Sequence, residues 1–362
     1  MLAPGFGLYT VFGLPTWALV DGTWAVLSQL ADTLPEGYTI SAYLILALTF
    51  GNLVPLILGI SLQAASRTTL SNLIRGILGT GLVTGLLMAF LWNKIVSISG
   101  SQVSLALLIL FFLVGACSSS SNVTHYIHVA RSDASNTTAL ATGMGLGSMT
   151  AGILALLQGT VLIDYGFSVT YYYLVLALLF IPAIAAFSAL SRQEEVEKSE
   201  GAEPYDEMRF IRQNWAILVL QVVNASLGYG IVPAMISYAC SKFDDRSMVL
   251  LLSTGIAAVL DPLFKALTFY VRIRTFHGLV LCAGLPGDLS LYRGAGGVLP
   301  VSLYVGFGAL FGFSNTCVFR YFKENISPDC VQHSYRWSGI ASQSGALMGS
   351  LIAFSVVVTN SL

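Results

Sequence analysis

Ten apolar runs of roughly 20 residues, parted by short polar turns, constrain this chain more than any other feature. They fall at 6–29, 38–62, 72–93, 102–129, 138–162, 168–191, 213–238, 247–271, 299–322 and 337–359. About 20 residues of helix cross the hydrocarbon of a bilayer. Lipid offers the backbone no hydrogen-bond partner, so a helix that satisfies its own groups is the form such runs take there. Composition agrees: 55% of residues are apolar, 10% are charged and mean hydropathy is +0.77, against about 25% charged in a soluble domain. The expected fold is an all-α, polytopic helical membrane protein. A net charge of −1 leaves no basic footprint for nucleic acid. The scattered cysteines Cys117, Cys240, Cys282, Cys317 and Cys330 form neither a disulfide framework nor a zinc site, and no metal or cofactor is expected. The opening MLAPGFGLYT lacks a basic n-region, so no cleaved signal peptide is expected.

The longest polar stretch, SRQEEVEKSEGAEPYDEMRFIR, follows the sixth run. Charged and without apolar periodicity, it reads as an exposed linker, giving an N-terminal half at 1–192, a linker at 193–212 and a C-terminal half at 213–362. One region resists the pattern: 276–297 has too short an apolar run before Pro286, Gly287 and Asp288 to cross alone. The bias of Lys and Arg toward one side is nevertheless strongest when a crossing is placed there. The expectation is therefore about eleven spans, with the ninth broken or misassigned, the N-terminus cytoplasmic and the C-terminus extracellular.

Weak internal matches support that count. SSSNVTHYIHVAR in the fourth span is echoed by GFSNTCVFRYFK in the tenth, GNLVPLIL in the second by VLDPLFKAL in the eighth, and GMGLGSMTAGILALL in the fifth by SGALMGSLIAFSV in the eleventh. Each pair is six spans apart, so orientation is preserved. That is a parallel six-plus-five duplication, an architecture transporters build around a midplane site.

Polar groups inside these runs are the functional candidates, because a carboxylate at a membrane helix centre costs about 2.5–3.5 kcal/mol and usually faces a cavity or the bundle interior. Trp17, Asp21, Trp24 and Ser28 fall on one helical stripe. Two indoles around a carboxylate suit a flat heteroaromatic ligand with polar edges; packing of the indoles with a paired Asp21 is the structural alternative. Glu36, in LPEG, is a candidate or a solvated turn residue. Asp261, before Pro262, is a site group or the partner of Lys265 four residues on. In SSSSNVTHYIH, Asn122 and Thr124 are candidates, and His128 is expected in solvent at the inner end. GMGLG sits in an apolar helix and opens no strand–helix unit, so it reads as close packing rather than a nucleotide loop. No HExxH, GxSxG or usable paired carboxylates occur, and an enzyme is not expected.

WALVDGTW followed by LPEGY, AYL and GNLVP resembles the solute-carrier riboflavin transporter family. So do SNVT at 121–124, LALLQG at 154–159, PAMISYAC at 233–240 and DPL at 261–263, in the family's order across nearly the whole chain except 276–297. The resemblance implies a plasma-membrane, major-facilitator-like carrier that takes up riboflavin, a small-molecule partner, without other partners than the lipid bilayer, and expected as a monomer. It adds Tyr229 to the candidates. It also implies an amide at the positions of Asp21, Tyr229 and Asp261, and polar groups at Val26, Met144 and Ile236. A titratable Asp21 in place of an amide carries the expectation of pH-dependent transport. The alternatives are a carrier of another flat heteroaromatic solute and a non-transporting membrane receptor or paralogue of the same fold.

Overall fold

The computed structural model describes residues 5–61, 67–98, 100–130, 132–161, 167–194, 207–268, 270–271, 298–326 and 328–361. Nine helical stretches among them are long and apolar enough to cross a membrane, from Gly37–Leu58 to His333–Val357. They coincide with nine of the ten apolar runs. Phe50, Phe90, Tyr171 and Trp215 stand exposed on the outside of the bundle, as residues that face acyl chains should. Region 276–297, where a broken span was expected, lies outside the described residues.

The first run is not one helix. It divides into α1 (Phe6–Gly13), α2 (Ala18–Ala25) and α3 (Leu27–Thr33). Pro15 has no N–H to continue α1, and the chain turns through Leu14–Trp17 before α2 begins. A second break at Val26, with φ −94° and ψ 14°, separates α2 from α3. The stripe predicted for a straight helix therefore ends at Trp24, and Ser28 faces a separate surface pocket with Asp32 and Tyr38.

The chain continues through α4 (Ile40–Gly51), α5 (Leu53–Ser61), α6 (Arg67–Leu91), α7 (Leu105–Val129), α8 (Ala134–Leu156), α9 (Val169–Leu178) and α10 (Phe180–Glu194). A short antiparallel hairpin, Val96–Ile98 with Ser101–Val103, joins α6 to α7, and Gly100 at φ 87° makes its turn. After 195–206 come α11 (Glu207–Ala225), a π-helical turn at Ser226–Ile231, α12 (Val232–Cys240), α13 (Arg246–Leu267), α14 (Val298–Asn325) and α15 (Pro328–Ser361). The expected linker at 193–212 is thus shorter: its last residues are helical, with Phe210 and Ile217, seven apart, buried on one face. The π turn sits where Pro233 lacks the N–H that would bond Tyr229 O, and Val232 N–H reaches Leu227 O instead.

Two helices pack with the same device. A Cβ added to Gly143 or Gly147 of α8 would lie 2.0 or 1.9 Å from Thr10 O or Leu14 O. A Cβ added to Gly345 or Gly349 of α15 would lie 2.1 or 2.2 Å from Val222 O or Ser226 O. Each pair is a small-xxx-small face pressed onto two successive turns of the facing chain. GMGLG is a packing element, as its sequence context indicated. Gly145, on the other side of α8, meets Asp261 and Pro262 of α13, so α8 is wedged between α1 and α13.

Candidate functional site

The glycine contacts put the two chain segments in register. If Thr10 matches Val222 and Leu14 matches Ser226, then Trp17, three residues on, matches Tyr229. Both sit at helix breaks, at the Leu14–Trp17 turn and in the π turn. Their rings stack on each other, centroids 5.0 Å apart and 8° from parallel. Beside them is a partly open cavity of about 140 Å³, lined from both segments.

Asp21 lines this cavity, and Ser148 of α8 donates its hydroxyl to the carboxylate. The opposite face of α2 is fixed by α9: Tyr172 donates to Gly22 O at 3.1 Å and to Ala151 O at 3.0 Å, and Tyr173 to Thr23 Oγ1 at 3.3 Å. Trp24 also reaches the cavity, braced edge-on by Phe111 at 5.9 Å. Asp261 and Lys265 both line it and pair at 2.5 Å; site group and ion pair are the same residues. Two serines of α7 bond back to their own helix, Ser120 to Ala116 O at 2.6 Å and Ser121 to Ser118 O at 2.5 Å, while Ser119 donates to Asn52 Oδ1. Asn122 is left to face the cavity.

Six of the eight candidates, Trp17, Asp21, Trp24, Asn122, Tyr229 and Asp261, thus share one cavity. Glu36 and Thr124 do not. The Glu36 carboxylate accepts from Ser104 N at 2.7 Å and Ser104 Oγ at 2.9 Å, holding the N-terminus of α7, where a negative charge meets unsatisfied N–H groups. Thr124 donates to Ser120 O at 3.0 Å within its own helix. His128, expected in solvent, is buried against Tyr9, Phe12 and Phe187, because α1 and α10 cover that face.

Sequence reading missed Ser148, Lys265, Tyr126, Tyr304, Phe311 and Asn315 as wall residues. The signal for Asn315 was present: matching SSSNVTH to GFSNTC places it opposite Asn122. The same match puts Phe319 opposite Tyr126, and those rings stack 4.1 Å apart at 10°.

The two halves also touch toward both ends of the bundle. At one end Ser41 and Ser237 share a hydrogen bond, Ser237 donates to Tyr38 O at 2.9 Å, and the Arg246 guanidinium lies 4.8 Å from the Tyr38 ring centroid. At the other, Tyr126 and Phe319 stack, Tyr335 meets both edge-on, and Lys323 Nζ donates to Ala130 O and Ser132 O at 2.7 Å each.

The sequence profile of the family described as "Solute carrier family 52, riboflavin transporter" matches residues 5–165 and 198–362. Solute carrier family 52, riboflavin transporter, member 3-A of Danio rerio is 23% identical, the match covering 97% of this chain and 94% of that one. Member 2 of Homo sapiens is also 23% identical, covering 96% of this chain and 92% of the relative. Among solved structures, a mutant of the nucleoside transporter NupG superposes with a TM-score of 0.59 at 12% identity, covering 98% of this chain and 92% of the other. That likeness carries the fold alone: a major-facilitator-type bundle.

Proposed function

The chain belongs to solute carrier family 52, the riboflavin transporters, and from that premise we propose how this multi-pass membrane protein transports riboflavin. The cargo occupies the cavity between an N-terminal half, 1–192, and a C-terminal half, 213–362. Trp17 and Trp24 offer aromatic faces to its ring system, while Asp21, Asn122 and Asp261 meet its polar edges. Rocking of the halves about the site opens the two ends in turn. The protein works as a monomer in the plasma membrane, N-terminus cytoplasmic, importing the vitamin without a bound cofactor.

One observation carries this reading: Asp21, a carboxylate inside the first apolar run, lines a cavity that residues of both halves complete. A carboxylate so placed needs a wet, protein-lined space, and a site shared by two halves is what alternating access is built around. Uptake of labelled riboflavin by cells expressing the chain, competed with flavin analogues and nucleosides, is the test. Surface-expressed protein that takes up no riboflavin overturns it.

A further inference from the structure

Asn315 is held by a residue outside the cavity wall. Gln221 of α11, wholly buried, donates Nε2–H to Asn315 Oδ1 at 2.7 Å. Asn315 Nδ2 then faces Tyr229 Oη at 3.4 Å. Asn315 and Tyr229 line the cavity; Gln221 does not. A side-chain amide presents a donor from one end and an acceptor from the other. Whichever end a neighbour engages decides what the other shows to a ligand. With its oxygen on Gln221, Asn315 shows N–H. The Tyr229 oxygen accepts there, so its own O–H is left to point elsewhere than Asn315.

Packing alone does not account for Gln221. Its Oε1 is buried and has no hydrogen-bond partner among the described residues. An unsatisfied buried acceptor is costly, and a leucine of similar size would avoid it. The matching position in the first segment is Tyr9, an aromatic packed against His128. The amide relay therefore belongs to one segment only.

We propose that Gln221 is a positioning residue: it fixes Asn315, and through it Tyr229, so that the C-terminal wall is a donor edge for carbonyl oxygens of the cargo. The inference rests on the riboflavin reading. The pyrimidine ring of a flavin carries two carbonyls flanking one N–H, and donors on Asn315 and Tyr229 suit those carbonyl oxygens.

The test is surface-normalised uptake kinetics with riboflavin and with analogues whose pyrimidine carbonyl is a thiocarbonyl, a poorer acceptor. Wild type should prefer riboflavin. Gln221→Leu and Gln221→Met keep the volume and remove the donor, so nothing holds the Asn315 oxygen and the amide is free to turn. Their riboflavin KM should rise about tenfold, as expected for the weakening of one hydrogen bond, with maximal rate per surface molecule kept and the preference over thiocarbonyl analogues lost. A preference ratio unchanged in both variants, whatever happens to KM, reduces Gln221 to a packing residue and overturns the proposal. Should neither Gln221 variant reach the surface, Asn315→Asp accepts from Gln221 but has no N–H to offer; it should lose the same preference, and keeping it is equally fatal. A wild type that does not discriminate overturns this inference alone. A wild type that takes up no riboflavin removes the functional reading and the inference together.

Discussion

The two segments share a frame and differ in what fills it. Gly143 and Gly147 press on Thr10 and Leu14 as Gly345 and Gly349 press on Val222 and Ser226. On that frame the first segment places Tyr9 and Phe12, packed on His128 and His125. The second places Gln221 and Asn224 at the corresponding positions, bonded to Asn315 at 2.7 Å and Ser314 at 3.1 Å. Backbone approach is thus set by glycines and repeated, while the polarity behind the cavity wall is set separately in each segment. One side of the cavity is braced by aromatic packing, which is indifferent to ligand polarity. The other is braced by amides, which impose donors and acceptors.

The comparison breaks first at the glycines. Gly143→Val and Gly345→Val each drive a side chain into a backbone carbonyl that cannot yield without moving a helix. Overpacking of this kind costs about 1–3 kcal/mol or more. Both should abolish folded surface protein, whereas Gly79→Ala, which meets nothing within 4 Å, should express normally. Surface expression and the fraction of solubilised protein that runs as a monodisperse species check this. A tolerated valine at one site only would show that the shared frame is not equally tight in both segments.

Next come the charges. Asp21→Leu leaves Ser148 to its own helix, where Met144 O lies at 3.3 Å, and removes the cavity-facing carboxylate; uptake should fall at least roughly 100-fold, in line with sites built to hydrogen-bond their substrates, with surface level kept. The pH profile of uptake should differ between wild type and Asp21→Asn, and identical profiles would remove proton exchange at this carboxylate from the mechanism. In the C-terminal segment, Asp261→Leu strands Lys265, and Lys265→Met strands Asp261. Each should cost about 2–3 kcal/mol of stability, since breaking one side of a sequestered pair leaves an uncompensated charge. The double replacement should be milder than either single change. Additive losses in melting experiments would mean that the two charges do not depend on each other.

Much of this was legible in the sequence, because membrane spans announce themselves by length and apolarity and because a charge inside one is conspicuous. Asp21, Asn122 and Asp261 were found that way, and all three reach the cavity. What escaped depends on neighbours remote in the chain. Glu36 looked like a solvated turn or site residue, and only the folded position of Ser104 makes it a helix-terminus tether. His128 looked solvated because nothing local says that α1 and α10 cover it. The break at Leu14–Trp17 was written in Pro15, yet hydropathy summed over a window runs straight through a proline. Asn315 was hidden by its surroundings: FGFSNTC is mostly apolar and small, and only its match to SSSNVTH marks it.

The smallest expected effect distinguishes the two ends of the bundle. Ser237 bridges to Ser41 and to Tyr38 O at 2.9 Å, a hydroxyl contact between neutral groups. Lys323 bridges to Ala130 O and Ser132 O through an ammonium. Hydrogen bonds to charged groups are worth about 1.5–3 kcal/mol and neutral ones about 0.5–1.5 kcal/mol. If each bridge is made only while its own end is closed, Ser237→Ala should shift the population toward opening at its end by about fivefold, and Lys323→Met toward opening at the other end by somewhat more, since a ligand-free two-state equilibrium moves by the differential free energy removed. The readout is modification of a cysteine introduced at Met144 on the cavity wall, by a membrane-impermeant thiol reagent applied to one side at a time, in a background lacking all five native cysteines. The two variants should raise the labelling rate from opposite sides. Increases from the same side would mean that the contacts at the two ends do not oppose each other.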